Sequence, residues 1–172
     1  GGGCMVIWRA AEKKAYVVDY GMRSPRALDP ADYPLTGKGA NNDLFAWPLV
    51  KDDRNVEGAT AVAVPGVVSG MGLAHGRFGR MPWKDLVAPA VSLAREGMLV
   101  DWFAGLMIAS SARALARDPD AAALFLEDGQ WPPLGTWTAF TEKHLDQKKL
   151  AQSLDQIGRD GPKALYGGDV GA

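Results

Sequence analysis

The order of apolar patterns along the chain predicts an α+β fold: β-type runs come first, and everything after residue 66 is helix-rich. Three observations carry this. Two short runs rich in Val, Ile, Tyr and Trp lie near the start, Pro65-Gly66 breaks a further β-type run, and apolar residues recur at helical spacing from there on. With 172 residues, 47% of them hydrophobic, the chain can bury a core of ordinary size, so a single domain is expected over residues 1–172.

Cys4 to Trp8 and Ala15 to Asp19 are the two early runs. The polar AEKK between them predicts a β-hairpin with a loop longer than the tightest type. Ahead of it, Gly1 to Gly3 predict a turn or a close backbone approach. From Pro25 to Gly58 periodicity is lost and Pro, Gly, Asn and Asp dominate, which predicts a long irregular connection of the kind that is often functional or mobile. Tyr33, Phe45 and Trp47 are expected to pack parts of it down.

Ala59 to Val64 reads as a mostly buried strand ended by Pro65-Gly66. Val67, Met71, Leu73, Ala74 and Phe78 then fall at helical spacing. Gly70 and Gly72 weaken the helix preference but leave room for a close neighbour. Pro82 opens a second helix whose stripe of Trp83, Leu86, Val87, Ala90, Val91 and Ala94 ends at Gly97, with a kink or restart expected at Pro89. Asp101 is placed to cap a third helix running to about Arg117. Asp118-Pro119-Asp120 interrupts it, Ala121 to Phe125 adds a short turn, and Glu127 to Gly135 is a loop. Lys148 to Ile157 predicts a last amphipathic helix with Leu150, Leu154 and Ile157 on one face. Gly161-Pro162 stops it, and a new element starts at Ala164.

Composition narrows the classes of function. A formal net charge of -1 without runs of like charge offers nothing to a phosphate backbone, so nucleic acid is not an expected partner. No segment approaches the ~20 apolar residues of a membrane-spanning helix. The single cysteine, Cys4, suits a cytoplasmic or a bacterial periplasmic setting equally. The chain opens without an initiator methionine and closes with an element unfinished, so a portion of a longer protein is expected.

Few residues carry chemistry. The opening glycines lack the continuation of a phosphate-binding loop, and a structural turn is expected. Cys4 reads either as a nucleophile waiting for a distant His75 or His144, or as a buried structural cysteine, and the second is the expectation. Neither histidine has companions at metal-ligand spacing, so no metal and no cofactor are expected. Ser69, Ser110 and Ser111 lack the context of an exposed nucleophile. Asp52-Asp53-Arg54 reads as a loop-stabilising ion pair.

The segment Asp19 to Arg26, DYGMRSPR, differs in kind. Tyr20, Arg23 and Arg26 leave a strand end together, and a guanidinium there can hold a substrate carboxylate with two parallel hydrogen bonds. The alternative is that both arginines pair with Asp19, Asp29 or Asp32.

Five blocks of sequence, in order, resemble the large subunit of the γ-glutamyltransferases and their cephalosporin-acylase relatives. They are GGGCMVIW, VVDYGMRSP, AVAVPGVVSGMGLAHGRFGRMPWKDLVAPAVSLAREGMLV, ALFLEDGQ and LAQSLDQIGRDGPKALYGGDV, with Leu28 to Gly58 the least similar stretch. The resemblance implies a fragment of the four-layer αββα fold of the N-terminal nucleophile hydrolases. It also implies cleavage of γ-glutamyl or related acyl-amide bonds through an acyl-enzyme, on a threonine freed by self-cleavage. Such a threonine uses its own α-amine as base. None of Thr36, Thr60, Thr136, Thr138 and Thr141 stands at a family-like processing site. The implied partners are therefore a small subunit or downstream chain carrying that threonine and a small-molecule amide substrate, and this chain alone is expected to be inactive. A non-catalytic relative serving as a binding or assembly module is the other reading. The resemblance further implies that the family's carboxylate-gripping arginine falls at Gly21, with Arg23 two residues on as its possible substitute. Tyr20, Arg23 and Arg26 are thus the expected substrate-side residues.

Overall fold

In the computed structural model, residues 1–40, 45–133 and 142–171 are described. Residues 41–44 within the predicted Pro25 to Gly58 connection, the end of the predicted loop at Gly135, and Thr136, Thr138 and Thr141 lie outside them. The chain divides into two compact units, residues 1–70 and 71–172. Both helix and sheet are present, as the order of patterns predicts.

The first unit begins with the expected hairpin, β1 (Cys4–Arg9) against β2 (Lys14–Asp19), antiparallel with Val6 opposite Val17 and Trp8 opposite Ala15. A single 3-10 turn, Ala10–Glu12, closes it, and Lys13 takes the left-handed conformation that lets the chain reverse. The pleat puts Met5, Ile7, Tyr16 and Val18 on one face. Val6, Trp8 and Val17 stand well exposed on the other. Cys4 shares that exposed face, so the expectation of a buried cysteine is corrected. The opening glycines answer to close approach and not to unusual backbone angles: a side chain on Gly2 would meet the Met22 amide nitrogen at 2.7 Å, and none of the three has a positive φ.

Two expectations for residues 25–64 fail. The stretch from Pro25 to Gly58 is not structureless, because β3 (Leu35–Ala40) pairs antiparallel with β4 (Pro48–Val50) across a register shift. Ala59 to Val64 is not a strand. Ala59–Ala61 form a 3-10 turn, Val62 is exposed, and Val64 alone bridges to Arg23. β-type residues make a strand only where a ladder partner lies alongside, and here only Val64 has one. Tyr33 does pack down, its hydroxyl donating to the Thr60 carbonyl at 2.8 Å, whereas Phe45 and Trp47 lie exposed against each other. The expected ion pair at Asp52-Asp53-Arg54 is absent among the described residues. The Val56 and Glu57 amides donate to the Asp53 carbonyl, and the Thr60 hydroxyl donates to that of Arg54.

Helix α1 (Val67–Phe78) starts just past Pro65-Gly66, as expected. In the second unit, α2 (Trp83–Glu96) runs through Pro89 without a restart. It ends at Gly97, whose φ of 89° closes the helix and whose bare Cα lets the Leu145 carbonyl approach. α3 (Trp102–Leu115) is capped by Asp101, which accepts from the Ala104 amide at 2.7 Å. α4 (Pro119–Phe125) is capped in the same way by Asp118, with Pro119 in its first turn. Between α2 and α3, β5 (Met98–Leu99) pairs with β6 (His144–Leu145), a contact too short to leave a pattern in the sequence. Val100, Ile108, Ala122, Leu126 and Leu145 form the buried cluster beneath these elements.

α5 (Lys148–Asp160) lies along α2, where a methyl on Gly158 would meet Val87 Cβ at 3.5 Å. Its buried residues are Ala151, Ile157 and Gly158, with Leu154 half-buried and Leu150 exposed, so the predicted face is rotated toward the smaller side chains. Small residues bring helix axes together, which turns a larger neighbour outward. Gly72 plays the same part against the Pro162 ring, as the glycines of α1 predict.

Candidate functional site

The segment Asp19 to Arg26 leaves the end of β2 and is pinned at two points. Tyr20 extends the hairpin, its amide donating to the Gly3 carbonyl at 2.9 Å. Three residues on, Arg23 and Val64 exchange backbone hydrogen bonds of 3.1 and 2.8 Å. Between these anchors the Asp19 carboxylate accepts from the Gly21 amide at 3.0 Å, which turns the chain. Arg26 follows in a tight turn closed by the Leu28 amide on the Pro25 carbonyl.

This placement decides the bland alternative for the arginines. Asp19 is engaged with Gly21 and Asp29 with the Ala31 amide. Among the described residues, neither Arg23 nor Arg26 forms an ion pair. Both side chains are exposed. A guanidinium unpaired and in water keeps all five donors for an incoming carboxylate. Tyr20 is half-buried and works differently, its ring lying against Gly70 of α1 and against Gly3.

The packing around Tyr20 is the part that the sequence does not reveal. A methyl on Gly66 would stand 2.7 Å from the Gly21 carbonyl and overlap that of Tyr20, and one on Gly70 would overlap the Tyr20 side chain. In the sequence Gly70 is a weak spot in a helix with room for a close neighbour, but nothing there names Tyr20 as that neighbour. The signal that it is a contact is its position one helical turn after Pro65-Gly66.

The other candidates have structural surroundings. His75 Nε2 lies 2.7 Å from the Met81 carbonyl, with its ring 5.4 Å from that of Trp83. Ser110 donates to the Met107 carbonyl within α3. No group of three or more His, Cys, Asp or Glu side chains among the described residues is placed to hold a metal ion. Two open clefts of the second unit, of 430 and 470 Å³, are lined in part by Gln156, Lys163 and Asp169 and by His75, Trp83 and Arg159. Neither includes Tyr20, Arg23 or Arg26.

The family model described as gamma-glutamyltranspeptidase matches residues 1–172, the whole chain. This chain belongs to the gamma-glutamyltranspeptidase family. It is 42% identical over 171 residues to an acylase ACY 1 proenzyme of Pseudomonas sp. (strain V22), covering 99% of this chain and 28% of that protein. It is 32% identical over 171 residues to glutathione hydrolase 3 of Arabidopsis thaliana, covering 99% of this chain and 23% of that one. The chain thus spans about a quarter of the length of these relatives. In fold it is similar to the gamma-glutamyltranspeptidase of Helicobacter pylori, with a TM-score of 0.79 at 22% identity over 99% of this chain and 44% of that one. The mixed helix and sheet architecture is therefore similar to that of part of a gamma-glutamyltranspeptidase. Among the described residues no helix is long and apolar enough to cross a membrane.

Proposed function

We propose that this chain is part of the large subunit of a gamma-glutamyltranspeptidase-like amidohydrolase or acyltransferase, acting on γ-glutamyl or related acyl-amide bonds. The observation that carries the reading is the family match along all 172 residues, supported by the identity to an acylase proenzyme. The nucleophile is a threonine supplied by a downstream chain or small subunit. Its hydroxyl attacks the amide carbon while its own α-amine takes the proton. The tetrahedral intermediate collapses to an acyl-enzyme, and the departing amine leaves with that proton. Water or an acceptor amine then releases the acyl group. Residues 1–172 belong to one domain of the four-layer αββα fold, and the exposed apolar face of β1 and β2 is covered by a further layer of the complete protein.

Tyr20, Arg23 and Arg26 form the substrate-side segment in this reading. The two arginines hold a carboxylate of the substrate, and Arg23 takes over from the arginine that Gly21 lacks. The test uses the full-length protein. Self-cleavage and release of amine from a γ-glutamyl or acyl amide are expected, and a protein that does neither refutes the reading. Arg23→Ala is expected to raise KM for a carboxylate-bearing substrate by about 10-fold, with Arg26→Ala in the same direction. Unchanged KM in both variants removes the arginines from the site. Without a substitute for the arginine missing at Gly21, an acylase-like amide substrate is favoured over a γ-glutamyl one. The second reading is a non-catalytic binding or assembly module, which failure of self-cleavage in a well-folded full-length protein would select.

A further inference from the structure

We propose that Gly66 and Gly70 are positioning residues, which seat Tyr20 against the start of α1 and thereby set where Arg23 stands. The inference rests on the substrate-side role of Arg23. Tyr20 and Arg23 are separated by two residues, so a shift at one anchor must appear at the other or break the bridge to Val64. The first anchor is built by the absence of side chains. A methyl on Gly70 would overlap Tyr20 Cβ and Cγ and stand 2.6 Å from Cδ1, and one on Gly66 would meet two successive backbone carbonyls, those of Tyr20 and Gly21. Neither glycine has a positive φ, so it is this approach and not backbone conformation that excludes a larger residue. Gly70 is buried, and its amide donates to the Gly66 carbonyl at 2.9 Å, so the two sit on one rigid turn. On the far side, a methyl on Gly3 would come 3.2 Å from Tyr20 Cε2. The ring is therefore held between two backbones, and its hydroxyl is not what anchors it.

The prediction is a split between binding and chemistry. In the full-length protein, Gly70→Ala is expected to raise KM for a carboxylate-bearing amide about 5- to 10-fold while kcat changes less than about 2-fold. KM for the same amide lacking the carboxylate should stay put. Tyr20→Phe keeps the ring seated between Gly70 and Gly3 and should raise KM clearly less than Gly70→Ala does. Gly3→Ala, a smaller intrusion from the other side, should raise KM in the same direction by about 2-fold and serves where Gly70→Ala fails to self-cleave. If Arg23→Ala raises KM but neither glycine variant does, the positioning role is overturned while the site reading stands. If Arg23→Ala has no effect, it is the site reading that fails. A rise in KM for Tyr20→Phe equal to that for Gly70→Ala would overturn the inference by assigning the effect to the hydroxyl.

Discussion

The Trp83 indole N–H donates to the Ile157 carbonyl oxygen at 2.9 Å, joining the first residue of α2 to the last turn of α5 across 74 positions of sequence. The bond is partly buried. Trp83→Phe keeps most of the apolar contact, including that with His75, but leaves the Ile157 carbonyl without this donor. Loss of about 1–2 kcal/mol of stability is expected, read by denaturant unfolding of the full-length protein. An unchanged midpoint would show that water replaces the indole without cost.

Gly21 can accept a side chain. Its φ is not positive, and a Cβ there meets only Asp19 Oδ1, at an ordinary 3.4 Å. Gly21→Arg is therefore expected to fold normally and, in the full-length protein, to lower KM for γ-glutamyl substrates by about 10-fold if the segment faces the substrate. Equal KM values in a well-folded variant would place Gly21 away from the substrate carboxylate.

At the hairpin turn, the Tyr16 hydroxyl donates to Glu12 Oε2 at 2.7 Å and the Arg9 guanidinium donates to Oε1 at 3.1 Å. These bonds, that from Tyr16 first, hold the Glu12 carboxyl below its ordinary range. A folded-state value below the unfolded one means that the contribution to stability is fully present above the ordinary carboxylate range and is lost as pH falls through the folded value. In an NMR titration Glu12 should titrate low, and Tyr16→Phe should move its midpoint upward. A midpoint that ignores the substitution would assign the shift to Arg9.

Where the sequence sufficed, the determinants were local. Asp101 and Asp118 each cap the helix that follows, and Gly97 closes α2, because such groups satisfy backbone atoms within one turn of themselves. The hairpin from Cys4 to Asp19 is legible for the same reason: two short alternating runs and a polar loop leave one simple pairing. Where partners are distant, the sequence misleads. Ala59 to Val64 has strand composition without a neighbour to pair with. β5 and β6 pair across the 44 residues that lie between Leu99 and His144, with two residues each.

The candidate site divides along the same line. Tyr20, Arg23 and Arg26 are visible in the sequence as a tyrosine and two arginines at a strand end, and family membership follows from ordered blocks of turn formers and helix starters. That both arginines stand unpaired, that Cys4 is exposed, and that Gly66 and Gly70 grip Tyr20 are decided only by the tertiary structure. The sequence by itself determined the first hairpin, the helices and the caps at Asp101 and Asp118, since those depend on neighbours a few residues away. The fold decided which side chains are free and which are held, because a close approach between backbones far apart in sequence leaves no periodic signature along either one.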